Sequence, residues 1–229
     1  MRAFFIGGNM KKLFTLLLVL VSIFCCGCTE NKYTNISFRH TAYFVGKCAE
    51  FKLTVTCGER ESPYIADGEV GDMVEFCMIS LKPLQKEATG KSYTYMLSVD
   101  GEEYKGLLSK DIFGTGYNKD VGVDIGQKLS SITISDGEKS YPIELENMMS
   151  NAIISESEAI DISVNEFSSK LKEIESEGRN SEIYLKFVCD STGDESFYYW
   201  YVAHVMQNGE YASVLLDIVS GDVIAKRGG

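Results

Sequence analysis

The sequence is poor in groups that move protons near neutral pH. Its 229 residues include two histidines, His40 and His204, which fall in different regions of the chain. Imidazole-based acid–base chemistry therefore has few parts to work with. No GxSxG, no HExxH and no cysteine close to a histidine occurs, so the usual nucleophilic and zinc-hydrolase schemes lack their components. Past residue 28 the cysteines are Cys48, Cys57, Cys77 and Cys189, with no CxxC pair, which argues against a structural zinc site. Positive charge is also scarce, 22 Lys and Arg against 33 Asp and Glu for a net charge of −11. An acidic chain repels nucleic acid and anionic lipid headgroups, so neither is an expected partner. These absences point away from an enzyme, a metal or a cofactor, and toward a protein that acts by binding.

One strong signal is present at the start of the chain. Arg2, Lys11 and Lys12 precede an apolar run over 13–24, interrupted by Thr15 and Ser22, and no acidic residue occurs before Glu30. That is the layout of a secretory signal peptide. A membrane-crossing helix needs about 20 apolar residues, and this run stops short at Cys25-Cys26-Gly27-Cys28. Met10, directly followed by Lys11-Lys12, is an alternative start that leaves the destination unchanged. The end of the run resembles the lipobox of bacterial lipoproteins, in which a small residue precedes a cysteine that receives diacylglycerol. Gly27-Cys28 fits the pattern, whereas Cys25 stands where the family usually has leucine, which leaves Cys26 as a second acceptor. The resemblance implies a leader over 1–28, cleaved before a lipidated Cys28, and a protein held on the outer face of the cytoplasmic membrane by its acyl chains. Losing the leader removes three positive charges and no negative ones, so 19 Lys and Arg face 33 Asp and Glu, a mature net charge of −14.

About 200 residues remain, 45% of the whole chain is hydrophobic, and such a chain builds one large or two small cores. Over 29–146 the pattern has period two. Phe51, Leu53 and Val55 alternate with Lys52, Thr54 and Thr56, and Tyr93, Tyr95, Leu97 and Val99 share another strand face. That strand ends at Asp100-Gly101, a dipeptide suited to a tight hairpin, and Asp136-Gly137 separates Ile132 and Ile134 from Tyr141, Ile143 and Leu145. With strands expected over 74–81, 102–107 and 121–125, roughly seven short strands emerge, the size of an immunoglobulin-like sandwich. Over 152–229 the pattern changes. Ser155 and Glu158 form a capping box, Ile160, Val164, Phe167, Leu171 and Ile174 share one helix face, and Gly178 stops the helix. Strands follow over 182–189, 196–206 and 211–216, with Asn208-Gly209 as a hairpin turn and a further turn at Ser220-Gly221. The expected fold is α+β, an N-terminal β-sandwich domain and a C-terminal helix laid on an antiparallel sheet, separable between 146 and 152.

The C-terminal residues carry a second resemblance. Ile154-Ser155-Glu156-Ser157-Glu158-Ala159-Ile160, Tyr199-Trp200-Tyr201-Val202-Ala203, Asn208-Gly209-Glu210-Tyr211 and Leu216-Asp217-Ile218 with Ser220-Gly221-Asp222-Val223 are similar to the PepSY family. Ser163 and Ser168 depart from the alanines that family members often carry in the helix. The resemblance implies binding or inhibition of an envelope peptidase. Gly58-Glu59-Arg60-Glu61 and Asp67-Gly68 resemble small β-domains of Gram-positive lipoproteins, a likeness that implies no function.

Other candidates are weaker. Asp190, Asp194 and Glu195, and Asp67, Glu69 and Asp72, lack the alternating ligands of an EF-hand loop and read as acidic turns. Asn35-Ile36-Ser37 is a glycosylation sequon by pattern only. Cys48 with Cys57, or Cys57 with Cys77, are open disulfide pairings, beside buried free thiols as the default. The stretch 197–206 is apolar or aromatic on both strand faces, so one face is expected on the helix and the other needs a cover; Tyr198 and Trp200 are the binding candidates. The resulting expectation is an envelope lipoprotein that binds, with an envelope peptidase as partner or, alternatively, a substrate or glycan held by the β-region.

Overall fold

Period-two patterning in this chain builds long strands, and turn dipeptides set where they reverse. The computed structural model describes residues 33–85, 90–123, 125, 128–192 and 195–228. The leader and Cys28 lie outside them. β1 (Ile36–Lys47) and β2 (Phe51–Glu61) form the first hairpin, and β3 (Met73–Pro83) pairs on the far side of β2. Phe51, Leu53 and Val55 are buried while Lys52, Thr54 and Thr56 are half-buried on the opposite face. β4 (Thr94–Val99) turns at Asp100-Gly101 into β5 (Glu102–Leu107), and both turn residues have positive φ, 51° and 87°. Next come β6 (Ser109–Lys110), β7 (Tyr117–Asp120), β8 (Ser131–Ser135), β9 (Ser140–Glu144) and β10 (Glu146–Asn147). A strand expected over 121–125 is instead the short β7 just before it.

α1 (Glu156–Glu166) opens with the expected capping box, Ser155 and Glu158 each accepting from the other's backbone amide. The helix breaks at Phe167, whose φ of −109° and ψ of 19° separate α1 from α2 (Ser168–Ser176). Phe167 is buried with its ring edge on His204, so tertiary packing overrides the continuous helix read from spacing. β11 (Ser181–Thr192), β12 (Glu195–Met206), β13 (Tyr211–Asp217) and β14 (Val223–Arg227) complete the chain as antiparallel neighbours.

The strands form two sheets, one ordered β14-β13-β12-β11-β1-β2-β3-β7-β6 with β10 beside β1, the other β5-β4-β8-β9. β1 is the hub. Its start pairs parallel with β11 through Phe38 with Tyr184 and Arg39 with Leu185, its length pairs antiparallel with β2, and its end pairs with β10 through Phe44 and Asn147. A bulge between His40 and Ala42 turns β1 away from β11. Opposite it stands Gly58, where a Cβ would lie 2.0 Å from the Arg39 carbonyl oxygen, so only glycine fits.

This continuity overturns the expected α+β arrangement of an immunoglobulin-like sandwich followed by a separate PepSY-like helix-on-sheet unit. Fourteen strands and two short α-helices make the described residues mostly β, and the C-terminal strands extend the sheet begun by β1. Strand patterning specifies which face of a segment is buried, but not which strand lies at its edge. The four-stranded sheet covers one face of β1–β3, with Phe44, Phe51, Leu53, Val55, Ile79 and Leu81 packed in one core with Tyr93, Leu97, Ile132, Ile134 and Ile143. α1 packs on β12 and β13, burying Ala159, Ile160 and Ser163.

Candidate functional site

With one face of β1–β3 sealed in the core, the other remains open and has polar chemistry. Tyr43, Val45 and Lys47 from β1, Lys52 and Thr54 from β2, and Ser80 and Lys82 from β3 line it. The far end of the β11–β12 hairpin, at Cys189 and Ser196, borders it on the β1 side, and Asp111, Thr115 and Asn118 border it on the β7 side. The groove measures about 760 Å³, within the range of small-molecule sites.

Its charge arrangement is unusual for an acidic chain. Lys47 is the register partner of Lys52, and Lys52 of Lys82, so three lysines stand in one row across three adjacent strands. At about 4.8 Å between strands the row spans roughly 10 Å. Like charges directly opposite one another on a sheet are destabilising. None of the three makes an ion pair among the described residues, whereas Arg39 pairs with Glu59, Arg60 with Asp120, Lys91 with Asp136 and Lys128 with Asp100. Asp111, the acid at the rim, accepts from the Thr115 amide (2.9 Å) and hydroxyl (3.1 Å), which directs its carboxylate into its own loop.

No protein-family model, curated protein or solved structure matches the chain. The likeness to the PepSY family rests on the quoted residues alone, and the reading of the site rests on its geometry.

The residues singled out from sequence separate into two environments. Trp200 is 2% exposed; its ring meets Phe187 edge-on at 5.2 Å, and its Nε1–H donates to the Ile154 carbonyl (3.2 Å). It is a core residue that ties β12 to the start of α1. Tyr198 is half-buried, stacked on Phe187 at 5.7 Å and edge-on to Tyr43 at 6.0 Å, which places it at the groove's border. Burial first, then the neighbouring Cys189, raises its hydroxyl pKa. On the other face of β12, Phe197 is exposed and Tyr199 and Tyr201 are half-buried.

Both histidines are buried and pushed down to a pKa of about 4, chiefly by burial. His204 Nε2 lies 2.7 Å from Ser163 Oγ. That distance suits a nucleophile and its base, but Ser163 is 0% and His204 1% exposed, so substrate has no access. The pair fixes α1 to β12, and Ser163, a departure from the family pattern in sequence, is His204's partner in space. His40 Nδ1 lies 3.1 Å from both the amide nitrogen and the carbonyl oxygen of Phe187, so it accepts from the first or donates to the second according to its tautomer, in the gap where β1 leaves β11.

Two carboxylates are also buried. Gly71 N–H donates to Glu61 Oε1 (3.0 Å) and Tyr64 O–H to Glu182 Oε1 (3.2 Å), so both hold the β2–β3 connection, while Oε2 of each is unpartnered. Burial, with the charges of Glu61 and Asp67, raises the Glu182 pKa against the hydroxyls of Ser37 and Tyr64. Among the described residues no three His, Cys, Asp or Glu side chains converge on a metal position. Asp194 and the Glu195 side chain lie outside the described residues; Asp67 Oδ1 accepts from the Glu69 amide (3.0 Å) as a turn residue. The Asn35 side chain of the sequon donates to the Ser181 carbonyl (2.8 Å). Among the described residues no disulfide joins Cys48, Cys57, Cys77 or Cys189. No described helix is long and apolar enough to cross a membrane.

Sequence reasoning missed the lysine row. Each lysine reads as an ordinary solvent-facing position in its own strand, and only the register of β1, β2 and β3 aligns them.

Proposed function

We propose that the chain is a non-enzymatic lipoprotein of the cell envelope, anchored through Cys28, that receives its ligand in the groove on the open face of β1–β3. The groove carries this reading: it is an open concavity lined by hydroxyl, amide, ammonium and aromatic groups on a rigid sheet. The Ser163–His204 pair, by contrast, is sealed from solvent. A peptidase partner gripped by Trp200 loses its anchor to the core, so the substrate- or glycan-binding alternative is preferred. The apolar leader ending at Gly27-Cys28 supports the membrane-anchored part of this reading.

The test is a thermal-shift screen of sugars, polyols, their phosphorylated forms and peptides against wild type and Ser80→Trp, which fills the groove from an exposed position. At least one class should raise the melting temperature of wild type and leave Ser80→Trp unmoved. An equal shift in both proteins would place binding elsewhere and end the groove reading.

A further inference from the structure

We propose that the groove's ligand is a linear phosphodiester polymer of hydroxyl-rich units, held by Lys47, Lys52 and Lys82. This deepens the binding reading above and rests on it. The three ammonium groups follow one another from strand to strand without a carboxylate partner among the described residues, on a chain of net charge −11. An anion supplied from outside neutralises what the fold leaves uncompensated.

The side-chain types narrow the class. Among the described residues the lining has lysines and no arginine; arginine's planar fork grips carboxylate or phosphate in one bidentate geometry, whereas lysine meets the anion as a point charge that sets no plane, which suits the tetrahedral oxygens of a phosphodiester. Thr54, Ser80 and Asn118 stand beside the row and pair with hydroxyls as donors and acceptors. The roughly 10 Å span of the row fits successive charges along a chain better than a single anion. The source is a polymer and not a bilayer, because a broad anionic surface meets the field of the whole acidic protein, while a narrow chain meets only the groove.

The experiment measures binding of glycerol phosphate oligomers, uncharged dextran and phosphatidylglycerol vesicles to the full-length protein in neutral detergent or neutral nanodiscs. Wild type should bind the oligomers, with affinity falling roughly 20-fold between 50 and 200 mM salt, as about three neutralised charges on a single strand require. Combined Lys47→Gln, Lys52→Gln and Lys82→Gln should weaken binding on the order of 100-fold with an unchanged melting temperature or a small rise, and Lys172→Gln on α2 should bind as wild type does. Dextran bound as tightly, without salt dependence and unaffected by the triple variant, overturns the polyanion while the groove reading stands. Preference for the vesicles over the oligomers overturns it as well. If neither oligomer nor dextran binds and no compound distinguishes wild type from Ser80→Trp, both readings fall.

Discussion

Burial of His40 and His204 makes the protein's stability depend on pH with a definite sign. Their folded pKa values of about 4 lie below the ordinary 6.5. Between those values the unfolded chain binds more protons, so stability is complete above 6.5 and is lost as pH falls toward 4. At about 1.4 kcal/mol per pKa unit, each histidine accounts for up to roughly 3 kcal/mol of this loss. Glu182 acts in the opposite direction, since its raised pKa favours the folded state at low pH and the benefit fades as pH rises above the ordinary glutamate value. Urea unfolding of wild type should therefore show falling stability from pH 7 to pH 4.5, and His204→Gln should flatten the curve. A wild-type curve with no slope over that range would contradict the buried neutral histidines. The thiols give a second expectation at this scale. Cys57 and Cys77 face each other across β2 and β3 with sulfurs 3.3 Å apart, so mild oxidation should join this pair and leave Cys48 and Cys189 free. The closed loop of about 20 residues would add roughly 3 kcal/mol. Peptide mapping without reductant checks it, and a Cys48–Cys57 link would exclude it. Lys52, with a lysine on each side, is the third case. Lys52→Thr should raise stability by a few tenths of a kcal/mol, measured as a small upward shift of the denaturation midpoint; a clear drop would mean that the row is compensated in a way the structure does not show.

At the scale of elements, the local code was readable where neighbours in sequence decide the outcome. The capping box at Ser155, the hairpin turn at Asp100-Gly101 and the stop at Gly178 involve residues close together in the chain, and each has the expected geometry; at Asn208-Gly209 the chain also reverses between β12 and β13, with the glycine alone of the two at positive φ. Replacing Ser155 with Ala should lower stability by about 1 kcal/mol, because the Glu158 amide loses its side-chain acceptor. Where partners are distant, the sequence was silent. Phe167 breaks the helix to meet His204, and His40 completes the hydrogen bonding of Phe187 from 147 residues away. The groove belongs to the same class, since its lysines are adjacent only once three strands are in register. Trp200 shows the limit from the other side. Its composition and spacing suit a binding anchor, yet the Ile154 carbonyl and Phe187 ring hold it inside, so Trp200→Ala should cost several kcal/mol of stability. A melting curve like that of wild type would return it to the surface.

For the whole molecule, the decisive contact is between β1 and β11. Asn35 and β1 lie at the start of the described fold, and their pairing with the C-terminal strands spans almost its full length: Ile183 N–H donates to the Asn35 carbonyl at 2.8 Å, and the Asn35 side chain donates to Ser181. A fragment beginning at Asn151 keeps α1, α2 and β11–β14 but loses the strand beside β11. It leaves an unpaired edge rich in aromatic and β-branched residues, including Tyr184 and Phe187, which is a template for aggregation. This fragment should therefore be insoluble or lack cooperative unfolding, while the chain from Tyr33 to Gly229 should melt in one transition. The check is paired calorimetry and size-exclusion chromatography of the two proteins. A monomeric 151–229 fragment with a sharp melting transition would show that the C-terminal strands fold without β1, and that the boundary between 146 and 152 separates independent units despite the shared sheet.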